Sequence, residues 1–456
     1  MRRRYDSYKD SGIEWMNEIP SKWKRSRIRM VGELYGGLTG KKGDDFNNDN
    51  NLTNRPFIPF TNIFNNTYIS KDHFQLVNIE DGENQNRVLK NDLFFLMSSE
   101  SYEDLGKCSI LLEDVEELYL NSFCKGYRVK DSSVYPLFLN YQLLGSLHKE
   151  MISIEGNGFT RINLRQDRLL DVPVFIPPLS EQQQIVSFLD NKTSLIDSLI
   201  EKTQRKIELL KEKRTSIINE VVTKGLNPNV EMKDSGVEWI GEIPNHWTIQ
   251  PIKYLSSPEK DSIVDGPFGS SINVNEDYGD FEIPVIRTVN ITDKGFNSDD
   301  LRFMRVEKYL ELKRHNVIPN DILFSKVGTI GNVCLFPHGF EKGILSTTGS
   351  CRIRVDVKKV DRKWMVYTLL KHKPQFIFLS GQNVQPFLNM TTIKDVKLEV
   401  PPIREQTQIV DYLDEQTQKI DRTISIEEKR IELLKEYRQS LISEVVTGKL
   451  KVTTDE

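Results

Sequence analysis

The chain has 456 residues, a formal net charge of −4 and 38% hydrophobic residues. Its length is enough for about three domains, and the lack of a run of about 18 apolar residues excludes a membrane span. The small negative charge excludes indiscriminate nucleic-acid binding through overall attraction, but it leaves room for a local basic groove.

The N-terminus and the cysteines bear on the cellular setting. The first four residues, Met-Arg-Arg-Arg, are basic but lack the apolar stretch of a signal peptide. The four cysteines, Cys108, Cys124, Cys334 and Cys351, form no CxxC pair. A reduced, cytoplasmic setting is therefore the simplest interpretation.

One segment of the sequence occurs twice at a fixed offset. Residues 9–15 read Lys-Asp-Ser-Gly-Ile-Glu-Trp, and residues 233–239 read Lys-Asp-Ser-Gly-Val-Glu-Trp, which is an offset of 224. Pro-Pro-Leu-Ser-Glu-Gln at 177–182 returns as Pro-Pro-Ile-Arg-Glu-Gln at 401–406, at the same offset. The regions between these motifs differ. A duplicated frame with two unlike inserts predicts a protein that binds two different ligands in one fixed geometry.

Each half of the sequence has three predicted parts: a leading segment with tryptophans, a variable region of about the commonest domain size, and a long helix. The predicted boundaries are 1–175 for the first globular region with its leading segment, 176–226 for the first helix, 227–399 for the second globular region with its leading segment, and 400–456 for the second helix and tail. Short β-like runs between Gly- and Asn-rich turns predict a mixed α/β (α+β) fold for both variable regions. These runs are 93–96, 108–112, 321–325 and 351–355.

The leading segments contain Trp15, Trp23, Trp239 and Trp247. We interpret these tryptophans as packing anchors, because large aromatic side chains bury much area. Base stacking or contact with a partner is the functional alternative.

Two heptad patterns define the long helices. With residue 186 at position a, the a and d positions are mostly apolar over five to six heptads, which predicts a coiled-coil pair. The predicted core residues are Val186, Leu189, Ile196, Ile200, Ile207, Leu210, Ile217, Val221, Val410, Leu413, Ile420, Ile424, Ile431, Leu434, Leu441 and Val445. The doubled frame favours an antiparallel intramolecular pair with a pseudo-twofold axis, and the globular regions at opposite ends of a rod.

Four polar residues refine the prediction for the helices. Ser180, followed by Gln183, fits a capping box at the start of the first helix. Arg214 and Arg438 occupy a positions, where they would weaken the pair slightly but fix its register. Alternatively, both arginines turn to solvent near the helix ends.

No catalytic constellation is recognisable in the sequence. The Gly- and Lys-containing run at 36–42 lacks the spacing and the Ser/Thr of a phosphate-binding loop. The six histidines include no pair at metal-ligand spacing on a helix. We therefore expect neither metal nor cofactor in this chain, and we do not expect a self-sufficient enzyme.

A role in recognition remains after catalysis is set aside, and two polar glycine-containing loops are the candidate binding segments. Arg reads guanine, and Asn or Gln reads adenine, in the major groove, while Lys and Arg position the backbone. The loop candidates are Asn157, Thr160, Arg161, Asn163, Arg165 and Gln166 in the first region, and Gln382, Asn383 and Gln385 in the second. The basic candidates are Lys41, Lys42, Arg287, Arg302, Arg305 and Lys326. For single cations, a solvated surface charge is the alternative.

The doubled motifs resemble a known family, the DNA-specificity (S, HsdS) subunits of type I restriction-modification systems. The resemblance rests on the Asp-Ser-Gly-x-Glu-Trp segments, the Pro-Pro-Leu/Ile-x-Glu-Gln helix openings and the doubled Ile-Glu-Leu-Leu-Lys-Glu. Asp-Gly-Pro-Phe-Gly-Ser-Ser at 265–271 is similar to a common phrase of target recognition domains. The likeness spans the whole chain, and the two-copy arrangement is its most specific feature.

The resemblance implies a non-catalytic DNA-recognition subunit. Each insert would be a target recognition domain for one half of a split, asymmetric sequence in double-stranded DNA, with the helices as a ruler. The helices would also dock two modification (methyltransferase, HsdM) subunits, which methylate adenine. Restriction (HsdR) subunits would join the full complex. S-adenosylmethionine, ATP and magnesium would belong to these partners, in the cytoplasm of a bacterium or archaeon.

Other interpretations stay open at this point. A coiled-coil scaffold that binds proteins through its inserts fits the acidic net charge, and salt-dependent binding to duplex DNA would separate the two. A related bipartite (type IIB-like) system differs only in its partner chains. A fused enzyme fragment is disfavoured, since the sequence ends just past the second helix.

Overall fold

The computed structural model describes residues 4–13, 16–46, 53–80, 82–381 and 386–452. They fall into two compact units, Met1–Gln204 with Glu428–Glu456 (unit 1) and Arg205–Glu427 (unit 2). Each unit combines small β-sheets with part of each long helix. Within the described ranges, no helix has the length and apolar character needed to cross a membrane.

Unit 1 contains short helices, short strands and the first part of a long helix. The helices are α1 (Ile28–Val31), α2 (Phe60–Asn65), α3 (Pro136–Leu144), α4 (Ser146–Ile154), α5 (Gln166–Asp171) and α6 (Leu179–Lys224), which continues into unit 2. The strands are β1 (Tyr8–Asp10), β2 (Glu18–Pro20), β3 (Lys24–Arg27), β4 (Gly32–Gly36), β5 (Asn54–Ile58), β6 (Gln75–Asn78), β7 (Leu93–Leu96), β8 (Ser98–Ser99), β9 (Cys108–Ile110), β10 (Tyr119–Leu120), β11 (Cys124–Val129), β12 (Gly156–Asn157), β13 (Ile162–Leu164) and β14 (Pro173–Ile176).

The centre of unit 1 is a four-stranded antiparallel sheet in the order β4-β11-β7-β9. β7 reads Leu-Phe-Phe-Leu and all four residues are buried, because both faces of the sheet are covered. One face joins a core that includes Trp23, Phe138 and Leu189 of α6. The smaller sheets are β10-β5-β6, β12-β13-β8, β14-β3 and β1-β2.

Unit 2 has its own set of elements. The helices are α7 (Ile252–Leu255), α8 (Val274–Asp277), α9 (Val306–Glu311), α10 (Arg362–Lys371), α11 (Lys373–Leu379), α12 (Met390–Asp395) and α13 (Ile403–Val446), which continues into unit 1. The strands are β15 (Met232–Asp234), β16 (Glu242–Pro244), β17 (Thr248–Pro251), β18 (Ile263–Asp265), β19 (Tyr278–Gly279), β20 (Ile283–Ile286), β21 (Ile291–Thr292), β22 (Gly295–Phe296), β23 (Arg302–Met304), β24 (Asn316–Val317), β25 (Ile322–Ser325), β26 (Val333–Leu335), β27 (Gly343–Leu345), β28 (Ser350–Ile353) and β29 (Lys397–Val400).

Unit 2 repeats the central sheet of unit 1 with a different sequence. Its four-stranded antiparallel sheet has the order β18-β28-β25-β26, so β25 takes the place that β7 takes in unit 1. A five-stranded sheet, β19-β23-β20-β27-β24, has no five-stranded counterpart among the described residues of unit 1. The four predicted β-like runs all overlap strands, β7, β9, β25 and β28. The predicted mixed fold is therefore confirmed in both units.

In unit 2 the two long helices run antiparallel. Lys206 Nζ lies 2.5 Å from Glu427 Oε1, and Arg214 Nε donates a hydrogen bond to Asp421 Oδ1 at 3.0 Å. From Lys206 to Arg214 the residue number on α6 rises, while that of the contacting residue on α13 falls from 427 to 421. The two helices therefore run in opposite directions. The predicted direction of the helix pair is confirmed here.

Unit 1 contains the equivalent ion pair with the roles of the helices exchanged. Arg438 Nη2 donates to Asp197 Oδ2 at 3.2 Å, and these residues are offset by 224 from Arg214 and Asp421. Both arginines therefore reach across to the other helix instead of turning to solvent. Such partly exposed pairs contribute about 0.2–1 kcal/mol each, so they specify register more than they stabilise.

The predicted heptad core lies on the buried side of the two helices. Ile200, Leu210, Ile217 and Leu434 are half-buried, and the other predicted core residues are buried. The predicted capping box was wrong, because α6 begins at Leu179 and Ser180 lies inside its first turn.

The duplicated Glu-Gln motif joins each helix start to its leading segment. Trp23 is fully buried and its Nε1 donates to Glu181 Oε1 at 3.0 Å. In unit 2, Trp247 is fully buried and donates to Glu405 Oε2 at 3.1 Å. A buried indole N–H needs an acceptor, so the tryptophan and the glutamate have a joint structural role in both copies.

The glutamine that follows in the motif hydrogen bonds the loop that precedes a shorter helix of the same unit, α3 in unit 1 and α10 in unit 2. Gln182 accepts from Tyr135 N at 2.7 Å and donates to Ser133 O at 2.8 Å. Gln406 repeats this in unit 2, where it accepts from Asp361 N at 2.8 Å. These bonds explain why Glu-Gln is retained while the neighbouring residues differ. The anchor interpretation does not extend to Trp239, which is 50% exposed, and Trp15 lies outside the described residues.

A buried histidine makes the stability of unit 1 depend on pH. His148 Nε2 donates to Pro173 O at 3.0 Å, and its Nδ1 has no partner among the described residues. Burial lowers the pKa of His148 to about 4, because the imidazolium would lose its hydration. The folded protein therefore holds the neutral ring at pH values where the unfolded chain is already protonated.

We expect unit 1 to lose stability between about pH 6.5 and pH 4, because protons then bind the unfolded chain preferentially. The loss is on the order of 3 kcal/mol at pH 4 and levels off below that pH. His148→Gln should flatten this slope in urea unfolding followed by circular dichroism. The matched control is His73→Gln, since His73 is exposed. Equal slopes for wild type and His148→Gln would contradict the assignment.

Candidate nucleic-acid interface

The first candidate loop is held at one edge of unit 1 by a short sheet. β13 pairs with β12 on one side and with β8 on the other, and β8 directly follows the buried strand β7. Ile162 and Leu164 point inward, and Asn163 between them is exposed, as alternation along a strand requires. All six loop candidates, Asn157, Thr160, Arg161, Asn163, Arg165 and Gln166, are exposed.

Arg161 is the best-positioned cation of this loop. Its Nε donates to Ser98 Oγ at 2.6 Å, and its guanidinium lies 5.6 Å from the centre of the Phe123 ring. Neither contact neutralises its charge, so Arg161 offers a fixed cation to a ligand. By contrast, Arg165 is paired with Asp167, with Nη2 and Oδ2 separated by 2.9 Å.

Exposed aromatic side chains surround the same loop. Phe159 is 105% exposed, and Tyr102 and Phe123 are also exposed. Gly158 has a φ of +137°, and a Cβ there would meet Arg161 O at 2.1 Å, so only glycine fits this turn. These aromatics were not among the predicted site residues, although Phe159 directly after Gly158 was visible in the sequence.

In unit 2, Leu388, which follows the second set of loop candidates, is bonded as Leu164 is bonded in unit 1. Leu388 N donates to Lys326 O at 3.2 Å, just after β25, as Leu164 N donates to Met97 O at 2.8 Å just after β7. Leu164 and Leu388 are therefore structural counterparts on unlike sequences. Gln382, Asn383 and Gln385 lie outside the described residues.

Lys326 and Lys41 are already engaged within the protein. The Lys326 side chain is 1% exposed, lies 3.2 Å from Asp265 Oδ2 and sits over the Phe387 ring. Lys41 Nζ lies 2.6 Å from Glu83 Oε2. Both ammonium groups are therefore paired with a carboxylate within the protein, and their contact with the DNA backbone stays a prediction. Lys42 is exposed.

The arginine candidates of unit 2 form carboxylate pairs near its surface. Arg287 and Arg302 share Asp300, at 2.9 and 3.2 Å. The hydrogen bond from Arg287 holds the pKa of Asp300 below its usual range. Arg305 Nη2 lies 2.7 Å from the buried Asp277. These pairs reduce the positive charge that the three arginines offer.

The described residues contain no group of three or more His, Cys, Asp or Glu side chains that could hold a metal ion. The four cysteines are free and buried, and burial raises the pKa of Cys124 to about 12. A buried, protonated thiol is a poor nucleophile and a poor metal ligand.

Comparison with known proteins gives the family. The model of the type I restriction modification DNA specificity domain matches residues 20–209 and 268–436. The chain belongs to this family, the specificity subunits of type I restriction-modification systems. This membership confirms the resemblance drawn from the doubled motifs.

Relatives match over nearly the whole chain. The provisionally named MjaX specificity subunit of a type I restriction enzyme from Methanocaldococcus jannaschii is 24% identical over 455 residues, 96% of each chain. A chain of a type I R-M system, solved to explain complex assembly and conformational transition, has a TM-score of 0.71 at 14% identity, over 95% of this chain and 99% of that one. The HsdS subunit from Thermoanaerobacter tengcongensis has a TM-score of 0.54 at 15% identity, over 95% and 98%. The two solved chains share the fold.

Proposed function

We propose that this specificity subunit reads a bipartite, asymmetric target in double-stranded DNA. The regions 1–175 and 227–399 are assigned as the two target recognition domains, and 176–226 and 400–456 as the helices that space them. One observation supports the proposal: Leu164 and Leu388, each beside a set of loop candidates, donate to the residue just after the central strand of the same four-stranded sheet, on unlike sequences. Two sheets of the same strand order that present different sequences are suited to reading two different DNA half-sites.

In the first domain, the exposed loop supplies the base-reading groups. Asn157 and Asn163 suit adenine, and Arg161 suits guanine. Phe159 offers an apolar ring that can stack on a base or enter a base step. Lys42 is available for the phosphate backbone. In the second domain, Gln382, Asn383 and Gln385 remain the base-reading candidates, and Arg287, Arg302 and Arg305 remain the candidate cations.

We expect Arg161→Ala to weaken binding to the specific duplex by about 1–3 kcal/mol. The reason is that a preplaced guanidinium, free of a carboxylate partner in the described structure, is lost. Arg165→Ala is the matched comparison in the same loop, and it should cost less because Asp167 already pairs with that side chain. Binding is measured for the complex with its modification subunits at two salt concentrations.

Two results would oppose this assignment of DNA binding. Affinity that does not change with salt would oppose phosphate contacts altogether and favour the protein-binding scaffold. Affinity unchanged by Arg161→Ala, with normal salt dependence, would move the reading surface away from this loop.

We infer that the outer faces of the long helices dock two modification (HsdM) subunits. Besides their a/d core, both helices expose apolar side chains at position c of the heptad. These residues are Leu195 and Leu209 on α6, and Tyr412, Ile426 and Leu433 on α13. Such apolar positions on a helix surface are what a further helix can cover.

The catalytic chemistry is assigned to the partners. Modification subunits would supply S-adenosylmethionine and methylate adenine, and restriction (HsdR) subunits would supply ATP- and magnesium-dependent cleavage. This chain would contribute recognition and spacing within a cytoplasmic complex.

A further inference from the structure

The ammonium group of Lys326, just after the central strand of unit 2, is paired with the carboxylate of Asp265. Its Nζ lies 3.2 Å from Asp265 Oδ2 and 4.8 Å from the centre of the Phe387 ring. The lysine is buried, but the Asp265 side chain is 32% exposed. Asp265 Oδ1 receives no hydrogen bond from the residues that the structure describes, and it is not buried. One carboxylate oxygen is therefore held by a buried cation, and the other is open to a ligand.

The fold itself does not require this ion pair, because unit 1 has apolar or small residues at the same two places. Met97 O accepts from Leu164 N as Lys326 O accepts from Leu388 N. Asp265 ends β18 as Gly36 ends β4, and the strand pairing of the two four-stranded sheets aligns these residues. Replacing a buried ion pair with apolar residues is often neutral or stabilising. The pair in unit 2 therefore calls for a role other than stability.

The main chain around Asp265 is fixed on both sides. His315 Nδ1 donates to Asp265 O at 2.6 Å, and Gly266 N donates to Ser350 O at 3.1 Å. A Cβ on Gly266 would clash with Thr347 O, so the chain passes close to that loop. The carboxylate is thus held in place before any ligand arrives, as a recognition group needs to be.

The surroundings of this carboxylate suit a nucleic-acid base. Phe387 and Phe268, three residues after Asp265, both have exposed rings. In the major groove, a carboxylate accepts a hydrogen bond from the N4 amino group of cytosine. A lone carboxylate would be repelled by the phosphates, and the ammonium group of Lys326 offsets that charge. The pair therefore offers an acceptor without a net negative charge.

We propose that Asp265 is a specificity-determining residue of the second domain, with Oδ1 as the acceptor for the exocyclic amino group of a cytosine. Lys326 is a positioning residue, which holds Oδ2 and neutralises the carboxylate. The inference rests on the proposed function, in which this domain reads one half-site. It adds an acceptor to the Arg, Asn and Gln side chains considered so far.

The test maps the methylated motif of the full chain in complex with its modification subunit. Asp265→Asn keeps an oxygen for Lys326 but turns an amide N–H group toward the base. It should relax one position of one half-site and weaken binding to the wild-type duplex by about 5-fold or more, equivalent to about 1 kcal/mol. Asp261→Asn is the matched control, because Asp261 precedes the opposite end of β18, is 28% exposed and pairs with Arg314. It should leave the motif unchanged.

A modified base identifies the group that is read. N4-methylcytosine at the relaxed position replaces the amino hydrogen that faces the major groove with a methyl group. It should weaken binding by the wild-type chain and have little effect on Asp265→Asn, since the two changes remove the same hydrogen bond. An effect of N6-methyladenine in place of adenine, with none from N4-methylcytosine, would overturn the assignment to cytosine.

A double variant keeps the test independent of folding. Asp265→Gly with Lys326→Met installs the two residues of unit 1, so no buried charge is left without a partner. It should unfold in urea at a midpoint close to that of wild type and relax the same position of the motif.

Three results would oppose the inference. An unchanged motif in both Asp265 variants would leave the proposed function standing but remove this contact. An equal loss of affinity for every duplex, with no relaxed position, would make the pair purely structural. If the wild-type complex methylated no bipartite motif, the proposed function itself would fail.

Discussion

Trp247→Ala is expected to destabilise unit 2 by about 3–5 kcal/mol, the range for removing a fully buried large aromatic. The indole is completely buried in the unit 2 core, and its Nε1 bonds Glu405 at the start of α13. The substitution leaves a cavity and removes a donor from that carboxylate. Trp23→Ala should have the equivalent effect in unit 1, through Glu181.

Urea unfolding followed by circular dichroism measures this effect without relying on tryptophan fluorescence. The matched control is Trp239→Ala, which removes the half-exposed tryptophan of the same leading segment and should cost about 1 kcal/mol or less. Because Trp247 belongs to the unit 2 core and Trp239 does not, the unfolding midpoint should fall much further for Trp247→Ala than for Trp239→Ala. Equal midpoints for the two variants would contradict the role of Trp247 as the anchor of α13.

The second large effect concerns the spacing of the half-sites. One heptad inserted after Leu199 of α6, with a matching heptad after Lys435 of α13, keeps the antiparallel register around the Asp197–Arg438 pair. Seven residues lengthen a helix by about 10.5 Å, which is about three base pairs of DNA. We expect the gap between the two methylated half-sites to grow by about that number.

The control for length inserts the same seven residues between Asp293 and Lys294, in the turn that joins β21 and β22. This insertion should leave the gap unchanged. If the gap also stayed constant in the double heptad variant, the helices would not be the ruler.

Much of the scaffold could be predicted, because it depends on local periodicity. Heptad spacing marks both long helices over dozens of residues, so single polar a positions such as Thr193 do not hide it. Buried runs such as Leu93–Leu96 and Ile322–Ser325 mark central strands for a similar reason. The internal repeat at an offset of 224 supported the same helix and domain assignment a second time.

The candidate site was harder to predict, because ion pairs join residues that are distant in the sequence. The sequence around Lys326 gives no sign of its ion pair with Asp265, and the sequence around Lys41 gives no sign of its ion pair with Glu83. Whether a cation is free depends on these tertiary partners. The exposure of Phe159 likewise follows from a turn whose shape only the folded sheet reveals.

The capping error has a local cause. Ser180 and Gln183 have the right spacing for a capping box, but Pro178 O already accepts from Glu181 N and Gln182 N, at 2.9 and 3.0 Å. The helix therefore starts earlier than the side-chain signal suggested. The carbonyl oxygen of Pro178 therefore determines where the helix starts, and the Ser180–Gln183 spacing does not.

The central claim is that one chain holds two unlike reading domains on a repeated frame. Single-molecule sequencing of N6-methyladenine, in DNA from cells that express this chain with its modification subunit, tests it most directly. We expect one methylated adenine in each of two different half-sites, separated by a constant gap of unread bases. A continuous motif, or two identical half-sites in a palindrome, would contradict it.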